Sequence, residues 1–420
     1  MTRMIEIEKL IPGGQALATL KDGKKAFFWN ALPGEIIEEY EITKQKSRYL
    51  EAIATKISNS SKYRIDPKDT CFLSTSPWQI MDYDYELAQK QALVTEIFRE
   101  HQITIDAPEI YTDNKDYHYR NKMEYALYWN NNTNKINLAF HARGSHRKIP
   151  IESSSIESSE IFKKAQQIID ELNEKHEEAR KYQSLLLRCN QKGEVSGGLY
   201  ENGKPHPKFN NLKDQILEHE YSYSPNGFFQ INLPVYEIAL KEIKSHINTD
   251  KVLDLYSGVG TIGLSVARDK QLTLVECDKS AFRELENNCK RHDNTAFEEH
   301  IRRRGEYGAT EPRNDGREGA FRESGIIMPK AVLAKSEDVL SYITPDQTVI
   351  LDPPRAGCDK KLIARLNEIK PQTIIYLSCN PATQARDTKL LLENYQIKTV
   401  KTFNFFPRTP HIENLVVLSL

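Results

Sequence analysis

The sequence lacks three features that would assign it to common protein classes. No apolar run approaches the roughly 20 residues of a membrane-spanning helix, and the opening MTRMIEIEKLIPGG has no apolar signal-peptide core. The six cysteines include no CxxC pair, which argues against a disulfide framework and against a zinc or iron–sulfur motif. We therefore expect a cytoplasmic protein with no membrane partner, in which a functional cysteine would act singly as a nucleophile.

Excess positive charge is also missing. The chain has 58 basic and 59 acidic residues and a net charge of −1, which by itself argues mildly against a nucleic-acid binder. The segment from Tyr111 to Pro150 is different, because it has seven Lys/Arg against three acidic residues, interleaved with histidines and tyrosines. Such a segment can neutralise phosphates and stack bases, although a solvated loop is the alternative interpretation.

A chain of 420 residues is too long for one ordinary core, and three domains are predicted. Residues 1–57 have several short alternating strands, typical of a small RNA-binding β-barrel. Residues 58–222 form a central, mostly β domain, and residues 223–420 an α/β domain. Helices are predicted near 84–101 and over 161–183. The first of them could pack on the C-terminal domain.

From about Asn226 to the end of the sequence, predicted helices and strands alternate. The pattern predicts a doubly wound α/β fold. The segment 295–330 interrupts it with balanced charge and little apolar content, and we expect a flexible insertion there. The predicted helices cover 233–245, 261–268, 280–291, 359–368 and 382–394, and the strands cover 251–256, 272–276, 347–351, 373–377, about 397–404 and 413–420.

A cofactor site is indicated by KVLDLYSGVGTIGLSVA, a buried strand that runs into a glycine-rich turn and a helix. Gly258, Gly260 and Gly263 match the dinucleotide-binding pattern, so an NAD-dependent oxidoreductase is one alternative. Asp254 precedes this turn, where it would repel a pyrophosphate but not a zwitterionic amino-acid moiety. Glu276 ends the next strand and can accept hydrogen bonds from ribose hydroxyls.

The motif ILDPPRAG shifts this choice toward S-adenosylmethionine. Asp352 ends a strand at the carboxyl edge of the sheet, where ligands bind. Enzymes that methylate bases commonly have an (Asn/Asp)-Pro-Pro turn at this place, whereas a dehydrogenase is not expected to have one.

Two further motifs contain groups suited to methylation of uracil carbon 5. That carbon is a weak nucleophile, and a thiolate that adds to carbon 6 activates it, after which a base removes the carbon-5 proton. In YLSCNPATQARD, Cys379 lies between a strand and a helix N-terminus, which favours its thiolate. In FPRTPHIENLVVLSL, Glu413 and His411 are both candidates for the base.

These motifs together resemble the RNA uracil-5-methyltransferase family. The resemblance implies a Rossmann-like class I methyltransferase domain, preceded by a TRAM barrel and a central RNA-contacting domain. It also implies S-adenosylmethionine-dependent methylation of uridine carbon 5 in RNA. The matching motifs are HYRNKMEYAL, FHARGSHRKIPI, FFQIN, DLYSGVG, DPPR, SCNPAT and FPRTPHIE, in this order.

The resemblance implies a role for each of several residues. Cys379 matches the family's nucleophile and Glu413 its proton-abstracting base, which leaves His411 in a supporting role. No metal ligands are implied. The positions that match cofactor-binding residues are Gln230, Tyr256, Thr261, Glu276 and Asp352.

One departure from the family concerns iron. Many relatives with a barrel bind an iron–sulfur cluster through a C-x5-C-x2-C run and a fourth cysteine, whereas here Cys71 is alone and the later site reads IESSSIESSE. We therefore expect no cluster. The barrel resembles ribosomal-RNA members, so 23S ribosomal RNA is the expected substrate of a monomeric enzyme. The alternatives are a transfer-RNA methyltransferase, the oxidoreductase and a non-catalytic RNA-binding protein.

Overall fold

The computed structural model describes residues 4–206, 209–304 and 328–420. The chain divides into two compact units. The first contains Met1–Asn210 and Thr402–Glu413, and the second contains Asn211–Lys401 and Asn414–Leu420. The predicted three-domain division of the chain stays a prediction.

The first unit begins with a six-stranded sheet. Its strands alternate in burial, because every second side chain points to the same face: in Lys25–Trp29, Ala26 and Phe28 are buried while their neighbours are partly or fully exposed. The order in the sheet is β1-β5-β6-β4-β3-β2. The strands are β1 (Ile5–Glu6), β2 (Lys9–Leu10), β3 (Ala16–Thr19), β4 (Lys25–Trp29), β5 (Ile36–Gln45) and β6 (Tyr49–Asn59).

A second six-stranded antiparallel sheet follows, in the order β10-β9-β8-β11-β12-β13. The helix predicted over 161–183 is too long, because the observed helix ends at Glu174 and His176 has a left-handed φ of 54° that stops it. The elements are α1 (Phe72–Thr75), α2 (Tyr83–Glu100), β7 (Glu109–Tyr111), β8 (Lys122–Asn130), β9 (Lys135–His141), β10 (Lys148–Pro150), α3 (Ser159–Glu174), β11 (Ser184–Cys189), β12 (Val195–Glu201) and β13 (Lys204–His206).

The second unit has the predicted alternation of helix and strand. After the hairpin β14 (Leu212–Ile216) and β15 (His219–Tyr223), seven strands lie in the order β18-β17-β16-β19-β20-β22-β21. The elements are α4 (Leu233–Ser245), β16 (Lys251–Leu255), α5 (Thr261–Val266), β17 (Gln271–Glu276), α6 (Lys279–Arg304), β18 (Lys330–Leu333), β19 (Gln347–Leu351), α7 (Lys360–Ile369), β20 (Thr373–Ser378), α8 (Pro381–Leu391), β21 (Gln396–Phe403) and β22 (Glu413–Ser419).

Two differences from the predicted elements concern the same stretch of chain. α6 continues to Arg304, well past the predicted end at 291. The predicted insertion at 295–330 lies for the most part outside the described residues. In the part of the chain that the structure describes, no helix has the length and apolar character needed to cross a membrane.

The carboxyl ends of four parallel strands lie at one edge of this sheet. β16, β17, β19 and β20 pair in parallel, so the residues that follow them share the carboxyl edge. α4 runs into the start of β16, which places its N-terminus at the same edge. These five chain positions are where ligands bind in doubly wound sheets.

Candidate active site

The glycine-rich turn between β16 and α5 has a backbone that few residues other than glycine can adopt. Gly258 and Gly260 have φ angles of 57° and 89°. Tyr256 also has a positive φ, of 65°, which is a strained conformation for a residue with a bulky side chain. At Gly263 a Cβ atom would lie 2.7 Å from Asp254 Oδ2, so only glycine fits there.

Asp254 holds this turn from inside the sheet. Its side chain is fully buried, and Oδ2 accepts a 2.9 Å hydrogen bond from the Gly263 amide. Burial, together with the nearby carboxyls of Asp352 and Glu276, raises the pKa of Asp254 to about 8. Within the described residues Asp254 Oδ1 has no hydrogen-bond partner. Asp254 therefore belongs to the internal support of the turn.

Glu276 ends β17 as predicted, and it is almost completely buried. Its two carboxylate oxygens accept hydrogen bonds from the amides of Gly258, at 2.8 Å, and Asp278, at 2.6 Å. These bonds fix the carboxylate beside the glycine-rich turn. The position suits a group that accepts hydrogen bonds from a ribose at the edge of the sheet.

Thr261 begins α5, and its hydroxyl lies 2.8 Å from the Tyr236 hydroxyl of α4. Gln230 is buried just before α4, so both residues lie at the carboxyl edge. Phe228, two residues before Gln230, is 74% exposed, an unusual state for a phenylalanine. The sequence analysis did not single out Phe228, although the Phe-Phe pair in FFQIN is a signal for it.

Tyr256, another predicted cofactor residue, has a half-buried phenol. The Ser336 side chain and the backbone of Asp359 lie close to its hydroxyl, and burial raises its pKa. Its ring therefore lies beside the segments that follow β18 and β19. Contact with a cofactor stays a prediction for this residue.

Asp352 follows β19 directly and keeps part of its surface accessible. The surrounding protein nevertheless raises the pKa of its carboxyl to about 7 through burial. Asp352 and Asp254 are thus two neighbouring carboxyls that resist simultaneous ionisation. A positively charged ligand at this edge would favour their charged forms.

Cys379 lies between β20 and α8 and is half-buried. We call residues 378–384 the cysteine turn. Asn380 caps α8 by accepting from the Ala382 amide at 3.2 Å, and its Nδ2 donates to the Arg355 carbonyl at 2.8 Å. The Thr383 hydroxyl donates to the same carbonyl at 3.2 Å. The cysteine turn is therefore joined to the loop that begins at Asp352.

A second set of bonds fastens that loop to α8. The buried Asp387 Oδ2 accepts from the Cys358 amide at 2.9 Å and from the Tyr376 hydroxyl at 3.0 Å. Arg386 donates to the Ala356 carbonyl at 3.1 Å. Gly357, with a φ of 81°, leaves the space that the Asp387 and Arg386 side chains need. The carboxylate of Asp352 and the thiol of Cys379 are thus carried by segments with a common support.

Glu413 is the first residue of β22, which runs antiparallel to β20. The two strands pair up to Ser378 and Asn414. Cys379 is the next residue after Ser378, and Glu413 is the residue before Asn414. The register therefore places both predicted catalytic residues at the same end of the two strands.

The segment that leads to β22, residues 404–413, belongs to the first unit, and we call it the glutamate segment. Buried charged groups from α2 bind its backbone. Both carboxylate oxygens of Glu86 accept from the Arg408 amide at 3.0 Å. Lys90, fully buried, donates to Asn404 Oδ1 at 2.6 Å and to the Phe406 carbonyl at 3.1 Å, and pairs with Glu86 at 2.9 Å.

Arg408 is a fixed point within the glutamate segment. It has a left-handed φ of 62°, and its guanidinium pairs with Asp116 and donates to the Met81 carbonyl at 2.6 Å. Its own carbonyl accepts from the Trp78 amide at 3.1 Å. Residues far from Arg408 in the sequence therefore bind both its backbone and its side chain.

Further contacts hold the rest of the glutamate segment. Tyr119 donates its hydroxyl proton to the Pro407 carbonyl at 2.9 Å. A Cβ atom at Gly14 would lie 2.3 Å from Pro410, so the N-terminal sheet approaches this segment closely. The His411 ring packs edge-on against Phe406, at 5.5 Å between ring centroids. A direct role of His411 in proton transfer stays open.

Cys71 lies apart from this edge, in the first unit, and is buried. Burial, with the nearby carboxyls of Asp69 and Glu157, raises the pKa of its thiol to about 12. The buried Glu157 carboxylate accepts from the Tyr125 hydroxyl at 2.6 Å and from the Ser154 hydroxyl. The raised pKa favours the protonated form of the Cys71 thiol. The expected lack of a cluster stays a prediction.

Comparison with known proteins assigns the chain to a family. The family model described as tRNA (uracil-5-)-methyltransferase matches residues 210–420. An Enterococcus faecalis protein named uncharacterized RNA methyltransferase is 27% identical over 99% of this chain and 97% of its own. A Nanoarchaeum equitans protein of similar name is 28% identical over 92% of this chain and 88% of its own.

A solved structure has the same fold over the full length. The Pyrococcus abyssi tRNA (uracil-54, C5)-methyltransferase, determined in complex with S-adenosyl-L-homocysteine, aligns with a TM-score of 0.71 and 23% identity. The alignment covers 99% of this chain and 100% of that one. The match of the family model to half of the chain identifies it as a member of the RNA (uracil-5-)-methyltransferase family, whose enzymes transfer a methyl group from S-adenosylmethionine to uracil in RNA.

Proposed function

We propose that this enzyme methylates carbon 5 of a uridine in RNA with Cys379 as the nucleophile and Glu413 as the base. The observation that carries the proposal is the register of β20 and β22, which ends at Ser378 and Asn414. A thiol and a carboxylate at the same end of two adjacent strands are the pair that this chemistry needs.

The residues at the carboxyl edge fit S-adenosylmethionine. When bound, this cofactor supplies an electrophilic methyl group for the activated carbon 5. Glu276 would accept hydrogen bonds from the ribose, and Gln230 and Thr261 lie where they could contact the cofactor. Burial raises the pKa of Asp352 to about 7, and a positively charged cofactor beside it would stabilise its ionised form.

Cys379 and Glu413 would each make and break specific bonds of the uracil ring. Cys379 Sγ, as the thiolate, forms a bond to carbon 6, and the electrons of the C5=C6 bond move to the O4 carbonyl as an enolate. After carbon 5 is methylated, the Glu413 carboxylate takes the carbon-5 proton. The C5=C6 bond re-forms, the Sγ–C6 bond breaks, and the thiolate is regenerated.

The target base must leave its stack so that carbon 6 presents a face to the thiol. Phe228 offers an aromatic ring to such a base, because most of its surface is exposed beside Gln230. Stacking on an exposed aromatic ring contributes about 1–3 kcal/mol per base. We therefore include Phe228 among the substrate-binding residues.

Surrounding RNA would contact the first unit at the N-terminal sheet and the 111–150 segment. The hairpin between β9 and β10 presents exposed His141, His146 and Arg147. Arg143 anchors this hairpin, since its guanidinium lies 4.1 Å from the centroid of the Trp29 ring in β4. Removal of a basic side chain that binds a phosphate should reduce the salt dependence of RNA binding by roughly one counterion.

Ribosomal RNA is the proposed substrate. Transfer RNA is a second candidate, and one of the comparisons favours it. The preference for ribosomal RNA depends on the N-terminal barrel. The Pyrococcus abyssi enzyme, which its name assigns to uracil 54 of transfer RNA, aligns over the full length of this chain. The full-length fold is therefore compatible with either substrate, and mapping of 5-methyluridine distinguishes them.

The mechanism is tested with RNA that contains 5-fluorouridine, whose fluorine cannot be abstracted as a proton. Wild-type enzyme with S-adenosylmethionine should form a covalent adduct that survives denaturing electrophoresis. Cys379→Ala should form none, and an adduct with that variant contradicts the nucleophile assignment. The substrate is tested by mapping 5-methyluridine in 23S ribosomal RNA and in transfer RNA from cells with and without the gene.

A further inference from the structure

We infer that Gln384 is a positioning residue, which fixes the start of the β22 strand against the cysteine turn. The inference rests on the roles proposed above for Cys379 and Glu413. Gln384 lies one helical turn after Asn380 in α8 and is completely buried. No sequence motif singled it out, because an isolated glutamine in a helix is usually a surface residue.

The carboxamide of Gln384 makes three hydrogen bonds to two strands. Nε2 donates to the Tyr376 carbonyl of β20 at 2.8 Å and to the Asn414 carbonyl of β22 at 2.9 Å. Oε1 accepts from Asn414 Nδ2 at 2.7 Å. The two carbonyls require the nitrogen on their side, so the orientation of the amide is determined by its partners.

The residues that Gln384 contacts flank the proposed catalytic pair in the chain. Tyr376 is three residues before Cys379, and Asn414 directly follows Glu413. Asn380, in the same turn of helix, binds the Arg355 carbonyl of the loop that begins at Asp352. One turn of α8 therefore connects the three segments that carry the thiol, the Asp352 carboxylate and the start of β22.

The hydrogen bonds of Gln384 add to the pairing of the two strands themselves. β20 and β22 already pair with each other from Thr373–Ser419 to Ser378–Asn414. The extra bonds from Gln384 act at the end of the ladder, where strands fray most easily. They restrict the motion of β22 at the residue next to Glu413, and a displacement of about 1 Å can cost about 10²-fold in rate.

The test separates the first half of the reaction from the second. Gln384→Leu keeps the size of the side chain and removes all three bonds. With uridine-containing transcripts of 23S ribosomal RNA and of transfer RNA, we expect release of methylated RNA to slow by about 10- to 100-fold. The covalent protein–RNA intermediate should accumulate, as measured by denaturing electrophoresis with labelled methyl groups. Adduct yield with 5-fluorouridine RNA should stay within about twofold of wild type.

Two further variants distinguish positioning from stability. Gln384→Leu with Asn414→Leu replaces both side-chain partners by apolar groups, so the Asn414 carboxamide is not left facing an apolar side chain, and the contact is not restored. Positioning predicts that this double variant still accumulates the intermediate. Tyr395→Phe is the matched control, because it removes a buried 2.9 Å bond to the Pro371 carbonyl away from the site. It should lower the melting temperature without accumulation.

The outcomes separate the two hypotheses. If wild type forms no fluorouridine adduct, or Cys379→Ala still does, the proposed function fails. If those results hold but folded Gln384→Leu releases product at the wild-type rate, only the role of Gln384 is refuted. Equal losses in adduct formation and release also refute it, because they indicate general damage. If the double variant releases methylated RNA at the wild-type rate, Gln384 stabilises the fold and does not position Glu413.

Discussion

The cysteine turn is held by neutral hydrogen bonds, whereas the glutamate segment is held by buried ions. Around Cys379 the supporting groups are the side chains of Asn380, Thr383 and Gln384. Around residues 404–413 they are Glu86, Lys90 and other charged side chains of the first unit.

The difference follows from the backbone of the two regions. The cysteine turn connects a strand to a helix, so regular structure satisfies most of its backbone groups and a few amides suffice for the rest. Most of the glutamate segment has no regular structure, and its backbone groups need partners from elsewhere. Lys90 and Glu86 supply several hydrogen bonds each, at the cost of burying charges. These hydrogen bonds hold the irregular glutamate segment in one conformation.

The largest effect is expected at the nucleophile. Cys379→Ala leaves the neutral bonds of the turn intact but removes the thiol that we propose activates the uracil. Methyl transfer from labelled S-adenosylmethionine should fall by at least about 10³-fold, since a residual rate would depend on binding alone. Calorimetry should show unchanged cofactor binding, and a variant that retains more than a tenth of wild-type activity contradicts the assignment.

Glu413→Gln should have the next largest effect and act later in the reaction. A carboxamide cannot take the carbon-5 proton, so methylated RNA should remain attached to Cys379, with release slowed by about 10²- to 10⁴-fold. Single-turnover assays that count covalent and free methylated RNA measure this. His411→Gln provides the comparison: if it traps the intermediate and Glu413→Gln does not, the roles of the two residues are reversed.

The ionic support of the glutamate segment can be broken at Lys90. Lys90→Met leaves the buried Glu86 carboxylate without its cation, which should lower the free energy of unfolding by about 3–5 kcal/mol in urea denaturation. The control is Lys9→Met, because Lys9 pairs with Glu96 of the same helix at the surface. That change should cost at most about 1 kcal/mol. Equal effects would mean that the buried ions add nothing to this segment.

We also expect a pH dependence of stability, which the neutral hydrogen bonds of the cysteine turn cannot produce. The pKa of Asp254 is about 8 in the folded protein against an ordinary 3.8, so between these values the folded state binds the extra proton. This contribution to stability is complete below about pH 4 and is lost as pH rises through 8. The melting temperature of the cofactor-free enzyme should therefore fall over this range, and Asp254→Asn should flatten the profile. An unchanged slope in that variant would assign the dependence to other groups.

Much of the second unit could be predicted from periodicity and turn residues alone. The helix at 233–245 and the strand at 347–351 agree with the structure to the residue. The helix predicted over 161–183 was too long, because His176 adopts a left-handed backbone that no local pattern announces. Helix ends depend on such single residues, whereas helix positions depend on many.

The sequence also predicted some residues of the candidate site and missed others. Cys379, Asp352 and Glu276 were placed correctly at the ends of strands, because the order of elements in a doubly wound sheet fixes which ends share an edge. Gln384, Lys90 and Glu86 attracted no attention in the sequence. Apart from the Lys90–Glu86 pair within α2, their partners lie between 8 and more than 300 residues away, and only packing brings them together.

Short motifs in the sequence were enough to identify the family, the cofactor and the residues proposed to react, since each motif encodes local chemistry in a few consecutive residues. The support of the cysteine turn and of the glutamate segment depends instead on tertiary packing. The physical reason is that a buried polar group must find its partner wherever the fold supplies one. For Gln384 that partner is the strand that begins at Glu413, and for Arg408 it is a helix from the other end of the chain.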